Sequence, residues 1–185
     1  MELNQKILSD IIVHMKYARY NRDKGRKETW EEIVDRNKEM HIKKFPQIKD
    51  AIEQAYELVY DKKVLPSMRS LQFGGKAIEV NNARMFNCSY LPIDDYRAFG
   101  EAMFLLLGGS GVGFSVQKQH IAKLPPIKKP NPNRKRKFVV DDSISGWADA
   151  IKHLVKAYFG FNSSTPIFDF SQIREKGTEL ITSGK

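Results

Sequence analysis

The fold class is encoded in residues 84–117, which read RMFNCSYLPIDDYRAFGEAMFLLLGGSGVGFSVQ. The first ten residues predict a β-strand around Cys88. Asp94 and Asp95 can cap a following helix, which ends at the glycines after Leu107. The segment VGFSVQ then predicts a buried strand. A helix followed by a glycine turn and a strand is typical of an α/β layer arrangement.

A second unit of helix and strand is predicted after a polar segment. Residues 124–137 are rich in Pro, Asn, Lys and Arg without an apolar period, and they predict an exposed loop. Asp142 or Ser143 can cap the next helix, and Gly160 can end it. One face of that helix carries apolar residues at helical spacing. These residues are Trp147, Ile151, Leu154, Val155 and Tyr158. The segment PIFDFS then predicts a strand.

The N-terminal part of the chain predicts helices. Residues 5–20 place apolar side chains at the i, i+3, i+4, i+7 spacing of one helix face. A second helix begins after Thr29, where Glu32 completes a capping box. A third is predicted over residues 47–60. Residues 69–75, RSLQFGG, predict a short extended segment that ends in a glycine turn.

Composition excludes several classes of protein. The chain has 185 residues, a net charge of +9 and one cysteine, which fits a soluble globular protein rather than a fibrous or disordered one. No apolar run approaches the roughly 18 residues of a membrane span. No secretory signal opens the chain, so the cytoplasm, or the host cytoplasm if a phage encodes the protein, is expected. A single cysteine excludes an internal disulfide and a metal site built from several cysteines.

Two features could carry chemistry, and each also has a structural interpretation. The glycine run over residues 108–113 can bring backbone amides close to a phosphate or ribose, or it can serve only as a tight turn. Its spacing matches neither a Walker loop nor a dinucleotide fingerprint. Cys88 lies among apolar and aromatic neighbours, where an isolated cysteine is usually buried and inert.

Charged and titratable residues leave further alternatives open. The positive charge fits a nucleic-acid partner, a phosphorylated ligand or a solvated surface. The basic segment at residues 128–137 could follow a nucleic-acid backbone, although it lacks aromatics that stack on bases. Asp141 and Asp142 are explained by helix capping. The four histidines have no metal-like spacing. They are His14, His41, His120 and His153.

Six segments, taken in order, resemble the first part of the catalytic subunit of ribonucleotide reductase. They are ETWEEIVDR, LPSMRSLQFGG, FNCSYLPI, LLGGSGVGFSVQ, DDSISGWADAI and FDFSQIREKGTELITSG. The resemblance is greatest to the adenosylcobalamin-dependent, class II type and its short phage relatives. It implies an α/β fold with an N-terminal helical region over residues 1–62. Residues 63–185 would supply the first strands of a ten-stranded α/β barrel that continues in another chain.

The same resemblance implies a set of substrate-site residues. Cys88 matches the cysteine that, with a second cysteine, reduces the ribose 2′ carbon and becomes a disulfide. Asn87 matches the neighbouring residue that contacts the ribose. The other implied substrate contacts are Gly109, Ser110 and Gly111 in the glycine turn, with Ser67 and Arg69 as weaker candidates.

The resemblance also implies an allosteric site for a deoxynucleotide effector. Asp95 matches the acidic residue that holds the effector ribose, and Asp94 lies one position away. The Gln117–Lys118 region matches the first specificity loop. The terminal segment REKGTELITSG matches the approach to the second one.

The resemblance implies partners that would complete a turnover. A C-terminal reductase chain would carry the radical cysteine, the partner cysteine and the contacts to adenosylcobalamin. The substrate would be a ribonucleoside di- or triphosphate, and a dithiol would restore the thiols. The family motif normally continues past Lys185, which suggests a gene split by an inserted element or a deliberately cut chain, inactive alone. The N-terminal helices begin too early in the chain for an intact ATP-binding cone, so we do not expect inhibition by dATP through such a cone.

Two functions of other classes remain as alternatives. The first is a nucleotide-binding or regulatory module without catalysis, and the second is a basic protein that binds nucleic acid through residues 128–137. No membrane is expected because the chain has no long apolar run, and a solvated loop is preferred over a nucleic-acid interface because the basic segment lacks interleaved aromatics. A broken barrel should also expose strand edges and apolar surface, so we expect the isolated chain to behave poorly in solution.

Overall fold

A computed structural model describes residues 3–161 and 164–178 of the chain. These residues form two compact units, which divide after Met85. The first unit is mainly helical, and the second combines helices with parallel strands. None of the helices within the described residues is both long enough and apolar enough to cross a membrane.

The first unit is built on three long helices and several short ones. Its elements in chain order are α1 (Leu3–Lys16), β1 (Tyr20–Asn21), β2 (Arg26–Lys27), α2 (Trp30–Lys44), a 3₁₀ turn (Pro46–Ile48), α3 (Lys49–Tyr60), α4 (Met68–Phe73), α5 (Lys76–Val80) and a second 3₁₀ turn (Asn82–Met85). Val34 of α2 packs against Tyr56 and Val59 of α3. Burial of these apolar side chains holds the two helices together.

The predicted capping box at the start of α2 is confirmed. The Thr29 hydroxyl accepts a hydrogen bond from the Glu32 amide, and the Glu32 carboxylate accepts one from the Thr29 amide. Each bond pairs a backbone donor that the helix cannot satisfy internally. Arg26 and Lys24 also bind this carboxylate and lower the pKa of Glu32.

The second unit contains two consecutive strand–helix–strand units with parallel strands. Its elements are β3 (Cys88–Pro92), α6 (Arg97–Leu107), β4 (Gly111–Ser115), α7 (Lys118–Ile121), β5 (Asn131–Val139), α8 (Ile144–Tyr158) and β6 (Ser164–Asp169). β3 pairs with β4, β5 pairs with β6, and both pairs are parallel. A helix connects each pair because parallel strands need a long crossover. The predicted order of helix, glycine turn and strand is confirmed.

The two crossover helices pack on each other as well as on their strands. Leu91 and Ile93 are buried against Ala98 of α6. Helices α6 and α8 approach closely at Gly100, where an added Cβ would lie 3.1 Å from the Ala148 carbonyl oxygen. Trp147 of α8 stacks on Phe170, with 5.6 Å between ring centroids. This layer fixes where the ends of the strands lie.

The start of α8 shows which of the two predicted caps is used. The Ser143 hydroxyl accepts a hydrogen bond from the Gly146 amide at 3.0 Å. Asp142 instead binds the Arg174 guanidinium, with 2.6 Å between Oδ2 and Nε. Capping by Ser143 is therefore confirmed. Asp142 connects the beginning of α8 to the segment after β6.

Three local predictions are wrong. Residues 69–75 were expected to be extended, but residues 69–73 lie in α4 and are held there by long-range hydrogen bonds. The predicted loop at residues 124–137 contains most of β5. This segment forms a strand because it pairs with β6, and its sequence has no apolar period that would have predicted a strand. The strand in VGFSVQ exists, but most of β4 is exposed rather than buried.

The sequence predicted that the helical region ends at Lys62 and that the barrel begins at residue 63. This boundary stays a prediction. In the structure, residues 63–85 pack with the first unit. The buried Asn37 amide of α2 donates to the carbonyl and hydroxyl oxygens of Ser70, each at 2.8 Å. These contacts explain why the compact units divide after Met85.

Candidate functional site

The paired strands β3 and β4 present two different faces. Side chains alternate along a strand, and residues directly opposite each other in a parallel pair share a face. Leu91 points to α6 and is buried, and Val112 packs against the same apolar cluster. The opposite face therefore carries Cys88 and Tyr90 of β3 together with Gly111 and Gly113 of β4, in the register Cys88↔Gly111 and Tyr90↔Gly113.

Cys88 begins β3 with an exposed thiol. The expected burial of Cys88 is wrong, because the residue is free and exposed. The residue opposite is Gly111, where an added Cβ would come no closer than 3.6 Å to the Asn87 carbonyl oxygen. Packing within the chain does not require glycine there. Its effect is to leave space beside the thiol.

The thiol's accessibility gives a prediction that the isolated chain can test. Gly111→Val will slow the reaction of Cys88 with a bulky disulfide reagent roughly tenfold, or about 1.4 kcal/mol in activation free energy, because the new side chain shares the face of the thiol. Thiol labelling rates measure this effect. Ser89→Val is the matched control, since residue 89 lies on the other face. Equal slowing in both variants would contradict the assigned faces.

The glycine turn before β4 is bound to the segment before β3. Gly109 has a positive φ of +93°, which glycine adopts without strain. The Gly111 amide donates to the Asn87 carbonyl oxygen at 2.8 Å, and the Ser110 hydroxyl donates to the Phe86 carbonyl oxygen at 2.7 Å. The turn therefore fixes the backbone of Phe86 and Asn87, the two residues before Cys88.

The donors of this turn are engaged within the chain. The Gly109 amide donates to the Leu106 carbonyl oxygen at 3.0 Å, and the Ser110 amide donates to the Leu105 carbonyl oxygen at 3.1 Å. The Gly111 amide is engaged as well. The glycine run is thus a tight turn, as one of the two interpretations expected, and its contact with a phosphate or ribose stays a prediction. In this conformation it offers space rather than backbone donors.

The weaker substrate candidates lie in the first unit. The Ser67 hydroxyl caps α4 by accepting a hydrogen bond from the Ser70 amide at 3.1 Å. The Arg69 guanidinium lies over the ring of Phe73, 5.3 Å from its centroid. The structure gives both side chains a local structural role. Their substrate contacts stay a prediction.

The candidate effector residues lie at the other end of β3 and β4. Asp94 forms an ion pair with Lys123, with 3.0 Å between Oδ2 and Nζ. Asp95 accepts hydrogen bonds from the Arg97 guanidinium and the Arg97 amide, which hold the pKa of Asp95 below its usual value. Lys118 is the first residue of α7, which follows β4.

The two candidate sets are therefore separated along one strand pair. Cys88 and Pro92 mark the ends of β3, which are about 13 Å apart at about 3.3 Å of rise per residue. The segment REKGTELITSG is predicted to lead to the second specificity loop. Most of this segment lies outside the described residues, because it is not described from position 179 on. Over the described ranges, no group of three or more His, Cys, Asp or Glu could hold a metal ion.

Two residues on the face of the strand pair that carries Cys88 were not predicted from the sequence. Tyr90 lies two residues after Cys88, and Gly113 lies two residues after Gly111. The period of two in a strand was the signal that could have found them. An added Cβ at Gly113 would contact the Tyr90 ring at 3.6 Å. Together they extend the open surface beside the thiol.

A comparison with solved structures defines the fold. The chain is similar to a crystal structure of a B12-dependent, class II ribonucleotide reductase, with a TM-score of 0.77 and 21% sequence identity. The match covers 93% of this chain and 33% of that one. The predicted fold class, an α/β protein with an N-terminal helical region, is confirmed. No family model matches the chain.

Curated relatives then confirm the resemblance. The chain is 28% identical over 200 residues to the adenosylcobalamin-dependent ribonucleoside-triphosphate reductase of Euglena gracilis, and the match covers 96% of the chain and 27% of the relative. A probable reductase of the same name from Dictyostelium discoideum is 26% identical, and the match covers 94% of this chain and 27% of that relative. A putative reductase of the same name from Mycobacterium phage D29 is 25% identical, and the match covers 95% of this chain and 30% of that relative. The homologues of this chain are therefore adenosylcobalamin-dependent ribonucleotide reductases, and the chain spans less than a third of their length.

Proposed function

We propose that this chain supplies the N-terminal part of a ribonucleotide reductase and acts together with a complementing C-terminal reductase chain. The observation that carries the proposal is the exposed Cys88 thiol at the start of β3, beside the space left by Gly111. A reducing thiol must reach a ribose carbon, and this one is open on the side away from α6. The combination of both chains with their cofactor is called the assembled enzyme below.

The redox balance of the reaction requires a second cysteine. Replacing the 2′ hydroxyl of a ribonucleotide by hydrogen releases water and consumes two electrons and two protons. Cys88 and a partner thiol supply both and become a disulfide, which an external dithiol then reduces. The chain contains one cysteine. The partner thiol is therefore assigned to the C-terminal chain, as is the cysteine that carries the radical.

The source of the radical is proposed from the relatives, which are named adenosylcobalamin-dependent. When bound, this cofactor would supply the radical to the radical-carrying cysteine of the C-terminal chain, and that cysteine would remove the ribose 3′ hydrogen. The contacts to cobalamin are assigned to the C-terminal chain, as the family resemblance implies. The residues of this chain bind and reduce the substrate.

The substrate and effector are assigned to opposite ends of β3. We assign a ribonucleoside triphosphate to the end that carries Cys88, because the relatives are triphosphate reductases. Asn87 contacts its ribose, and the turn over residues 109–111 lines its approach. A deoxynucleotide effector is assigned to Asp94, Asp95 and Lys118, with Asp95 exchanging Arg97 for the effector ribose. The assembled enzyme acts in the cytoplasm.

The test is deoxynucleotide formation by the two chains, separately and mixed, with adenosylcobalamin and a dithiol. We expect product only in the mixture, since neither chain has both redox cysteines. Formation of product by the C-terminal chain alone would show that this chain is not catalytic. An inactive mixture in which the chains bind each other would favour the non-catalytic, nucleotide-binding alternative.

One observation favours a second function, binding of nucleic acid. Strand β5 exposes basic side chains at residues 134–137, and Lys137 is paired with Asp169. Binding to single-stranded or duplex DNA that weakens steeply with salt would support this function. Basic side chains also protect an exposed strand from pairing with other chains. The exposed thiol has no role in nucleic-acid binding, and the reductase function is therefore preferred.

A further inference from the structure

Helix α1 leaves a cleft between itself and the rest of the first unit. None of the residues of α1 is buried, although its sequence has the apolar period of an amphipathic helix. The cleft has a volume of about 330 Å³, which lies within the range of about 300–1,000 Å³ typical of sites for small molecules. Its walls are mainly apolar, and the main apolar side chains are Leu8, Ile12, Trp30, Leu65 and Leu71.

Polar groups line the cleft beside Lys62. Gln5 and Ser9 are four residues apart in α1, so they lie on the same side of the helix. The Lys62 ammonium donates to the Ser9 hydroxyl oxygen at 2.8 Å, and a hydroxyl that accepts one hydrogen bond can donate another. An ammonium, a hydroxyl and a side-chain amide can all act as donors. These polar groups therefore suit an acceptor that carries negative charge.

Lys62 is held at the cleft by contacts that an anion can share or replace. Its side chain is only 20% exposed, and its Nζ lies 5.2 Å from the centroid of the Trp30 ring. The ion pair with Asp10 is long, with 3.3 Å between Nζ and Oδ1, and the Asp10 side chain is 58% exposed. An ion pair with a carboxylate in solvent contributes little. A carboxylate that enters the cleft can therefore compete with Asp10 for the ammonium.

The backbone at Lys62 does not require a lysine. Lys62 follows α3 and has a φ of +57°, the only positive φ at a non-glycine residue in the described part of the chain. Glycine is common just after a helix because it adopts a positive φ without strain. The Lys62 amide donates to the Val59 carbonyl oxygen at 2.9 Å, a bond that glycine would keep. The lysine side chain thus costs strain, and strained residues of this kind cluster at ligand sites.

We propose that the cleft between α1 and Trp30 binds a small carboxylate with an apolar, aromatic body. The carboxylate accepts hydrogen bonds from Lys62 and Ser9. The aromatic body packs against Trp30 and covers Leu8 and Leu65, which are 58% and 59% exposed, so that apolar surface is removed from water. All of these residues belong to the first unit, and the site is therefore independent of the proposed reductase function.

The test titrates the full chain with naphthylacetate and with naphthylacetamide, its neutral analogue. Binding is followed by NMR at the indole N–H of Trp30, a residue that lines the cleft. We expect the carboxylate to shift this resonance and to bind about tenfold more tightly than the amide, because hydrogen bonds between charged groups are the stronger ones. Equal affinities of the two compounds would overturn recognition of the anion. A Trp30 resonance that naphthylacetate does not shift would overturn the site.

Lys62→Gly tests the role of the ammonium, and Lys63→Gly is the matched control. Both variants remove one positive charge, but Lys63 is 65% exposed and pairs with Asp61 rather than lining the cleft. We expect Lys62→Gly to bind naphthylacetate about tenfold more weakly with an unchanged urea midpoint, because glycine relieves the strain. Lys63→Gly should bind it like the wild type.

Two results with these variants would overturn the role of Lys62. The first is wild-type affinity for naphthylacetate in Lys62→Gly, and the second is an equal loss of affinity in both variants, which would indicate a general effect of charge. The comparison of the two compounds needs no variant. It decides whether the cleft recognises an anion even if Lys62→Gly loses stability.

Discussion

Cys88→Ser will abolish dithiol-dependent deoxynucleotide formation by the assembled enzyme, with a loss on the order of 1,000-fold or more. A hydroxyl group cannot be oxidised to a disulfide, so the two electrons for the 2′ carbon are lost. The exposed position of Cys88 tolerates serine, and folding should be unaffected. Turnover assays with radiolabelled ribonucleoside triphosphate, beside a thermal unfolding curve, measure both effects.

Ser89→Ala is the matched control for this substitution. Ser89 is the next residue along β3 and lies on the other face, where its hydroxyl is 3.5 Å from the Gly111 carbonyl oxygen. Its turnover should stay close to that of the wild type. Dithiol-coupled turnover retained in Cys88→Ser would remove Cys88 from the redox pair. The reductase assignment would then depend on the other residues of the site.

Gly146→Ala will destabilise the chain by about 3 kcal/mol, at the upper end of the cost of overpacking. An added Cβ would lie 2.2 Å from the Asp141 carbonyl oxygen and 2.8 Å from the Asp141 carbonyl carbon. These are backbone atoms, which cannot rotate away. The Asp141 carbonyl also accepts the Ser143 amide at 2.8 Å, so relief of the clash disrupts the cap of α8. Urea unfolding followed by circular dichroism measures the loss.

Gly111→Ala is the control for the loss at Gly146. An added Cβ there has only an ordinary contact at 3.6 Å, and the change in unfolding free energy should be within about 1 kcal/mol. Equal stability of the Gly146 variant and the wild type would show that the start of α8 is not packed as described. Equal losses in both variants would point to a general effect of replacing glycine.

The unpaired surface of the second unit agrees with the proposal that another chain completes the barrel. β3 and β4 pair only with each other among the described strands. The aromatic side chains of Tyr90 and Phe114 are 67% and 61% exposed. Large apolar side chains left exposed near strand edges favour association. The expectation that the isolated chain behaves poorly in solution stays a prediction, which sedimentation velocity can test.

Local signals in the sequence determined much of the second unit and the start of α2. The capping box at Thr29, the strand around Cys88, the helix after Asp95 and the cap at Ser143 all follow from neighbouring residues or from one hydrophobic period. Such signals act over a few positions, and the sequence therefore displays them directly. The candidate substrate and effector residues have a different basis, because they follow from the resemblance to a known family rather than from local physical signals.

The tertiary structure decided α4 and β5. Helix α4 forms because Arg36 and Asn37, more than 30 residues earlier, satisfy its carbonyls. Strand β5 forms because β6 pairs with it despite its basic sequence. The exposure of Cys88 also depends on which face α6 covers, since the neighbours of the thiol in sequence are apolar and suggested burial. Partners distant in sequence leave no local period, and these features became visible only when the chain was folded.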